Sequence, residues 1–308
     1  MDLTPFILLT VFGLQTAIPI AIAADGELVT EKSGILNIGI YGVMVIGAFA
    51  AAAADVAFGR SMGPASAYAG LLAGMVAGLG VNFVFAFLAT KIHVDQVIAG
   101  IGINIFAVGI TYVFLERYYK IDGTPNANTL PALFNVGGLT SGLTLKISPL
   151  MAAMFVLPVV VYLFLGRTKL GLHIRATGEN PKAAEAAGID VVKTRLIATA
   201  IGGALLGAGG AYFTIDFNPN FTPDPTGSII PGFIALAAVI AGGWKPHYVL
   251  GMSIVFGATV ALQYVLVLPG ALIYLVMMLP YIVTVAVLGI ASKSLRPPAA
   301  LGVPYKKE

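Results

Sequence analysis

Cysteine is missing altogether from this 308-residue chain, tryptophan occurs once, and charged side chains make up only 10% of it. Without cysteine there are no disulfides and no thiolate metal sites, although the compartment stays open. The three histidines, His93, His173 and His247, are scattered through polar connecting stretches, so no metal centre is expected. Neither a G-x-x-x-x-G-K-[ST] phosphate loop nor an H-E-x-x-H zinc motif occurs. No nucleophile stands with a base or with paired acids in a pattern that marks a hydrolase. The reading is therefore of a protein that is no enzyme and holds no cofactor of its own, and no nucleic-acid partner is expected.

Apolar runs fill the space those residues leave. Hydrophobic residues are 58% of the chain, glycine occurs 37 times and the mean hydropathy is +0.93. A bilayer core of about 30 Å takes roughly 20 apolar residues per helix, and in lipid the backbone must satisfy its own hydrogen bonds, which makes the spans helical. Nine apolar segments can be read: Leu3–Ala23, Leu36–Phe58, Ala65–Ala89, Val94–Leu115, Ser148–Leu165, Leu196–Ile215, Ile229–Gly243, Tyr248–Leu268 and Ala271–Ala291. The expected fold is an all-α polytopic membrane protein, a bundle of about eight to ten transmembrane helices, forming a single domain over residues 1–308. Ala21-Ile22-Ala23 imitates a signal-peptidase site, but Asp2 and no Lys or Arg precede the run, so it reads as a retained helix.

Basic residues give an orientation. Counted over alternate loops, Lys32, Lys91, Arg167, Lys169, Arg175, Lys182, Lys193, Arg195, Lys245, Lys293, Arg296, Lys306 and Lys307 fall on one side, against Arg60, Arg117, Lys120 and Lys146 on the other. The first group belongs in the cytoplasm, which puts the N-terminus outside and the C-terminus inside. Small residues at four-residue spacing (Gly70, Gly74 and Gly78; Gly203, Gly207 and Ala211; Ser253, Gly257 and Ala261) predict helices packed at close backbone distance.

Among carboxylates, only Asp55 lies within a long apolar run, while Asp95, Glu116 and Asp216 sit at run ends. A proton-driven carrier would be expected to place more of them inside its spans. What remains is a largely uncharged route, for which the amides Gln15, Asn37, Asn82, Gln96, Asn104 and Gln263 are candidates; each can equally serve as glue between helices. In "FNPNFTPDPTGSIIPG", Phe217–Gly232, the prolines Pro219, Pro223, Pro225 and Pro231 forbid regular helix. A short helix over 229–243 is then expected, with its N-terminus aimed into the membrane.

The polar exception is the loop 167–195. Its stretch "ATGENPKAAEAAGIDVVKTR" carries Glu179, Lys182, Glu185, Asp190, Lys193 and Arg195. Asn180 is a natural N-cap, Pro181 suits the first helical position, and Gly188 suits a C-terminal cap around an alanine-rich turn. A helix of about two turns is marginal alone in water, so a partner surface is expected to hold it.

Five blocks carry a resemblance. "EKSGILNIGIYGVMVIGAFAA" (Glu31–Ala51), "VDQVIAGIGINIFAVGIT" (Val94–Thr111), "ATGENPKAAEAAGIDV" (Ala176–Val191), "PGFIALAAVIAGGWKP" (Pro231–Pro246) and "MLPYIVTVAVLG" (Met278–Gly289) are similar, in order, to motifs of the permease subunits of ATP-binding-cassette (ABC) importers for nucleosides and simple sugars, relatives of ribose and branched-chain amino acid permeases. The resemblance implies a type II ABC importer-like bundle in the cytoplasmic membrane that moves a small polar solute by alternating access. It implies a second permease subunit, two cytoplasmic ATP-binding domains that hold ATP and Mg, and an extracytoplasmic solute-binding lipoprotein. It also implies a substrate pathway at Asn37, Tyr41, Gln96 and Asn104, and an ATPase-coupling helix at Gly178, Glu179, Asn180, Pro181, Ala183, Ala184, Ala187 and Gly188. Tyr41 stands where nucleoside-type members usually carry Glu, which leaves nucleosides and sugars both open. A branched-chain amino acid permease, an ion-coupled secondary transporter, and a membrane scaffold or enzyme without transport are the competing readings.

Overall fold

A computed structural model describes residues 4–119, 123–125, 127–140, 143–222, 231–266, 272–291 and 296–306. Of the residues named above, Asp2, Leu3, Lys120, Pro223, Pro225, Ile229, Leu268, Ala271, Lys293 and Lys307 lie outside them. In chain order the elements are α1 (Thr4–Glu31), α2 (Ile40–Met62), α3 (Ser66–Phe87), α4 (Gln96–Tyr118), β1 (Phe134–Thr140), β2 (Leu143–Ile147), α5 (Pro149–Arg167), α6 (Lys169–Glu179), α7 (Pro181–Ala186), α8 (Val191–Tyr212), α9 (Gly232–Ala241), α10 (Pro246–Val265) and α11 (Leu272–Ala291). The chain is a multi-pass helical membrane protein. Six helical stretches are long and apolar enough to cross a bilayer, and the longest, Ile40–Ile92, is two spans joined by a short turn. Those spans, α2 and α3, run antiparallel: Gly74 faces the carbonyl of Gly47, and Gly70 that of Ala51.

Local chemistry sets where the helices begin. Asp95 Oδ1 accepts from the Val97 and Ile98 amides at 2.9 and 3.0 Å, capping α4, and Asp190 Oδ1 accepts from Lys193 at 2.9 Å, capping α8. Pro149, Pro181 and Pro246 each occupy a first turn, where no N–H is needed.

The centre of the bundle is α8. A β-carbon on Gly26 of α1 would lie 2.6 Å from the Gly202 carbonyl oxygen, and one on Gly47 of α2 would lie 2.6 Å from the Gly207 Cα. On α3, a β-carbon at Gly78 would lie 2.7 Å from the same Cα. Three helices thus reach α8 at backbone contact. Lipid offers no hydrophobic drive between helices, so this close packing supplies the association. The α1–α10 pair joins in the same way, through Gly257 against Ala17, and Thr16 Oγ1 donates to the Gly257 carbonyl at 2.7 Å.

The structure adds two features to the expected all-helical bundle. The first is the connection between α4 and α5, which folds into a short antiparallel hairpin of β1 and β2; Lys146 of β2 pairs with Asp216 at 2.7 Å. Second, α1 does not stop at Ala23 but runs to Glu31, with Asp25, Glu27 and Glu31 all buried. The helix continues because Ala, Glu and Leu favour it and because Asn37, before α2, and Trp244, in the turn after α9, donate to two of the carboxylates. Asp55 is therefore not the lone carboxylate within a span. It too is buried, and accepts from Ser66 Oγ and the Asn128 amide.

Gly207→Val should overlap the α2 and α3 backbones and cost about 3 kcal/mol or more. Gly80→Ala, at a position with open space around it, should be neutral or gain up to about 1 kcal/mol. Thermal unfolding of the two variants in detergent would measure the contrast; similar midpoints would mean that α8 is not closely packed.

Candidate functional site

The elbow 32–39 between α1 and α2 is non-helical, and amide side chains satisfy several of its backbone groups. Gln96 Oε1 accepts from the Leu36 amide at 2.7 Å. Asn37 Oδ1 accepts from Gly39 at 2.9 Å, while its Nδ2 donates to Asn82 Oδ1 at 3.0 Å and to Glu27 Oε2 at 3.2 Å. Asn82 Nδ2 then donates to the Thr199 carbonyl of α8 at 2.8 Å. From α4, Asn104 Oδ1 accepts from Gly42 at 2.8 Å and Nδ2 donates to the Ile38 carbonyl at 3.0 Å. Three of the predicted pathway residues, Asn37, Gln96 and Asn104, therefore meet at one elbow, and their amides are spent on backbone groups, on Asn82 and on the Glu27 carboxylate. Asn37 and Gln96 are buried, and Asn104 is half-buried.

Tyr41, the second residue of α2, is 7% exposed and stacks on Phe233 of α9 with ring centroids 6.4 Å apart. Gly232 lies against the Tyr41 backbone, where a β-carbon would come within 2.6 Å of its Cα. The ten residues of α9 span about 15 Å, half the hydrocarbon thickness. It is a half-crossing whose first turn, without a side-chain cap, sits beside Tyr41. At its far end the chain turns through Trp244, a bulky residue held at φ +55°, which is rare for such a side chain. Trp244 Nε1 donates to Glu31 Oε2, which ties the end of α9 to the end of α1. Sequence reasoning missed Glu27, Glu31 and Trp244. The acidic pair one turn apart in "DGELVTE" was the available signal. Glu27 Oε1, Glu31 Oε1 and both Asp25 oxygens have no partner among the described residues.

The second predicted constellation is the loop helix. Asn180 Oδ1 accepts from the Ala183 amide at 3.0 Å, Pro181 opens α7, and Gly188 closes it at φ +82°. Lys182, Ala183, Ala186 and Ala187 face outward. Ala184 does not: it is 4% exposed and packs against Val191 and Tyr305. Gly178 is buried as well, because it faces the backbone of Lys32 and Gly34. The surface open to a partner is narrower than expected, and Ala184 and Gly178 are not on it.

What buries them is the C-terminal tail, which lies across this loop as a strap. The Ala300 amide donates to the Gly178 carbonyl at 2.8 Å and the Gly302 amide to the Gly34 carbonyl at 3.1 Å. Tyr305 Oη donates to Glu185, and His93 Nε2 lies 3.1 Å from the Tyr305 carbonyl oxygen. Arg195, 1% exposed, joins the parts: Nε donates to the Ser33 carbonyl at 3.0 Å, and the Nη atoms reach the Thr177 and Val303 carbonyls at 3.4 Å. One guanidinium thus holds the elbow, the loop and the tail.

The family model described as "Branched-chain amino acid transport system / permease component" matches residues 9–288. The chain is 32% identical to the guanosine ABC transporter permease protein NupQ of Bacillus subtilis, over 96% of this chain and 95% of that one. It is 28% identical to the nucleoside ABC transporter permease protein NupC of Lactococcus lactis, over 94% and 93%. To a Haloferax volcanii permease to which glucose ABC transport is ascribed it is 31% identical, over 81% and 75%.

Replacing Asn104 with Leu leaves the Gly42 amide and the Ile38 carbonyl without their partner, at a cost of about 1–3 kcal/mol. The expected outcome is a larger fall in transport than in the amount of folded protein in the membrane. Equal falls in uptake and in folded protein would assign Asn104 to packing alone.

Proposed function

We infer that this chain, which belongs to the family of branched-chain amino acid transport system permease components, is the membrane-spanning subunit of an ABC importer for nucleosides or simple sugars. The observation that carries this is the end-to-end likeness to a guanosine permease, over 96% of the chain. It supports the nucleoside reading over the branched-chain amino acid alternative, whose relative aligns with only 51% of the chain.

The solute route runs along α2, α4 and α9. Aromatic rings stack there in pairs, Tyr41 with Phe233 at 6.4 Å and Phe49 with Phe114 at 6.1 Å, and flat faces of that kind stack on a nucleobase or on the apolar face of a sugar. Tyr41 and Asn104 border the route, whereas the buried Asn37 and Gln96 act on it by fixing the elbow. The uncapped first turn of α9 offers N–H groups to a neutral solute at mid-membrane depth. The end bearing Lys32, Arg175 and Lys245 faces the cytoplasm, following the excess of basic residues there, so the N-terminus is outside and the C-terminus inside. At that end α7 is the coupling helix for the ATP-binding subunits, which hold ATP and Mg, while a second permease subunit and a solute-binding lipoprotein complete the machine.

Energy coupling by ATP rests on the family and not on a shortage of carboxylates, since α1 carries three. Vesicles with ATP supplied inside should keep importing labelled guanosine after the proton gradient is collapsed. Loss of uptake on collapse alone would sink the importer reading.

The coupling surface has its own test. Ala183→Arg and Ala187→Arg change exposed residues, which seldom alter stability by more than about 0.5 kcal/mol. Both should leave membrane insertion intact while removing ATPase co-purification or solute-stimulated hydrolysis, with Arg60→Ala at the opposite end as the control. Undiminished assembly and stimulation in both variants would place the docking surface elsewhere.

A further inference from the structure

The basic end of the bundle holds a feature that transport does not use. Two cavities, of about 380 and 550 Å³, open on either side of Lys245 at the start of α10. Lys32 and Lys245 border both; Arg175 completes the first and Arg296 the second, and no carboxylate lines either. Among the described residues the only ion pair is Lys146–Asp216, at the opposite end. These cations are thus gathered without a carboxylate in contact. Burial holds the Lys32 ammonium below its ordinary range; Arg175 and Lys245 push the same way, against Glu179 and Glu31. Like charges brought together at a concave surface favour an anion.

The walls say which kind. Tyr162 of α5 and Tyr248 of α10 flank the smaller cavity at 58% and 57% exposure, as aromatic residues do at a membrane interface. Lys245 Nζ lies 5.5 Å from the Tyr248 ring centroid. Along the same two helices, away from the cations, Val156 and Val159 of α5 and Val255 of α10 are exposed. The surface is cationic at headgroup depth and apolar beneath it. A soluble phosphate compound would need only the first part, whereas a phospholipid matches both.

We propose that the cavities around Lys32, Arg175 and Lys245 form a binding site for the phosphate headgroup of an anionic phospholipid, whose acyl chains lie in the groove between α5 and α10. Basic pockets between helices on the cytoplasmic side are suited to such lipids. The bound headgroup neutralises the cations beside Trp244 and the α1–α2 elbow, so lipid composition would reach the half-helix α9 from its end.

The test uses the full chain purified in detergent. Phosphatidylglycerol should raise the thermal midpoint and stay bound in native mass spectrometry, whereas phosphatidylcholine and inorganic phosphate should do neither. Removing two cations at about 1 kcal/mol each with Arg175→Gln and Lys245→Gln together should lower phosphatidylglycerol retention about thirtyfold; Arg175→Lys alone should keep it. Both altered side chains are exposed, and the lipid arms on the unaltered chain decide the matter even where the double variant is unstable. Equal effects of the two lipids, or an equal shift with inorganic phosphate, would overturn the proposal. So would full lipid retention by the double variant, and if that variant instead lost the ATP-binding subunits, the cations would belong to a protein interface.

Discussion

Backbone contact at α8 is the constraint from which the other placements follow. Gly202, Gly203, Gly207 and Gly210 have no side chains, and α1, α2 and α3 approach to where a single methyl would overlap them. Dispersion at that range is the main attraction available between helices in lipid. The same helix carries a hydrogen-bonded group at each level of the membrane. Arg195 grips the elbow near its start, the Thr199 carbonyl receives Asn82, and Thr214, just past its end, donates to the Ala48 carbonyl at 2.9 Å. Packing and polar bonding therefore fix one and the same register between α8 and its neighbours.

That register brings the elbow to a place where irregular backbone is tolerable. Non-helical chain inside a membrane survives only where protein satisfies its polar groups, and here Asn37, Gln96 and Asn104 do so. A buried amide left half-paired would cost more than an apolar residue in its place. The economy of the site is that three side chains serve four backbone groups, one amide and one carboxylate, and the same bonds hold Tyr41 and the first turn of α9 at one level. The residues read as lining a route are thus also the residues that shape it.

How much of this was legible follows from the range of each interaction. Helices declared themselves through apolar runs, α7 through Asn180, Pro181 and Gly188, and the close packing through small residues every fourth position, because each of these signals is local. The short helix after the prolines was legible for the same reason, although its start near Ile229 falls outside the described residues. Four features were not. The continuation of α1 past Ala23 depends on Asn37, itself held by Asn82, and on Trp244, and the last two lie far along the chain. The inward face of Ala184 depends on Tyr305, 121 positions away. The tail carries no periodicity, and its contacts with Gly34, Gly178 and Arg195 could not be read from "PPAALGVPY". Nor did the β1–β2 hairpin stand out, since its strands are short and β1 is interrupted by Gly137 and Gly138.

The tail strap also changes how α7 can act. A two-turn helix on a free loop would rock without consequence, since nothing would transmit its movement. Here Ala184 is clamped by Tyr305, and the loop before α7 is bonded to the tail at Gly178 and to Arg195 at Thr177. Arg195 holds the elbow through Ser33, and the tail holds it through Gly34. A displacement of α7 must therefore either break the hydrogen bonds of a buried guanidinium, of which the one to Ser33 at 3.0 Å is worth about 1.5–3 kcal/mol as a bond to a charged group, or carry the elbow with it. The second course is the less costly. From the elbow the movement has two exits, along α2 to Tyr41 and through Glu31 to Trp244, and these are the two ends of α9. Both ends of the half-helix are thereby joined, through largely buried hydrogen bonds, to the one segment that carries α7.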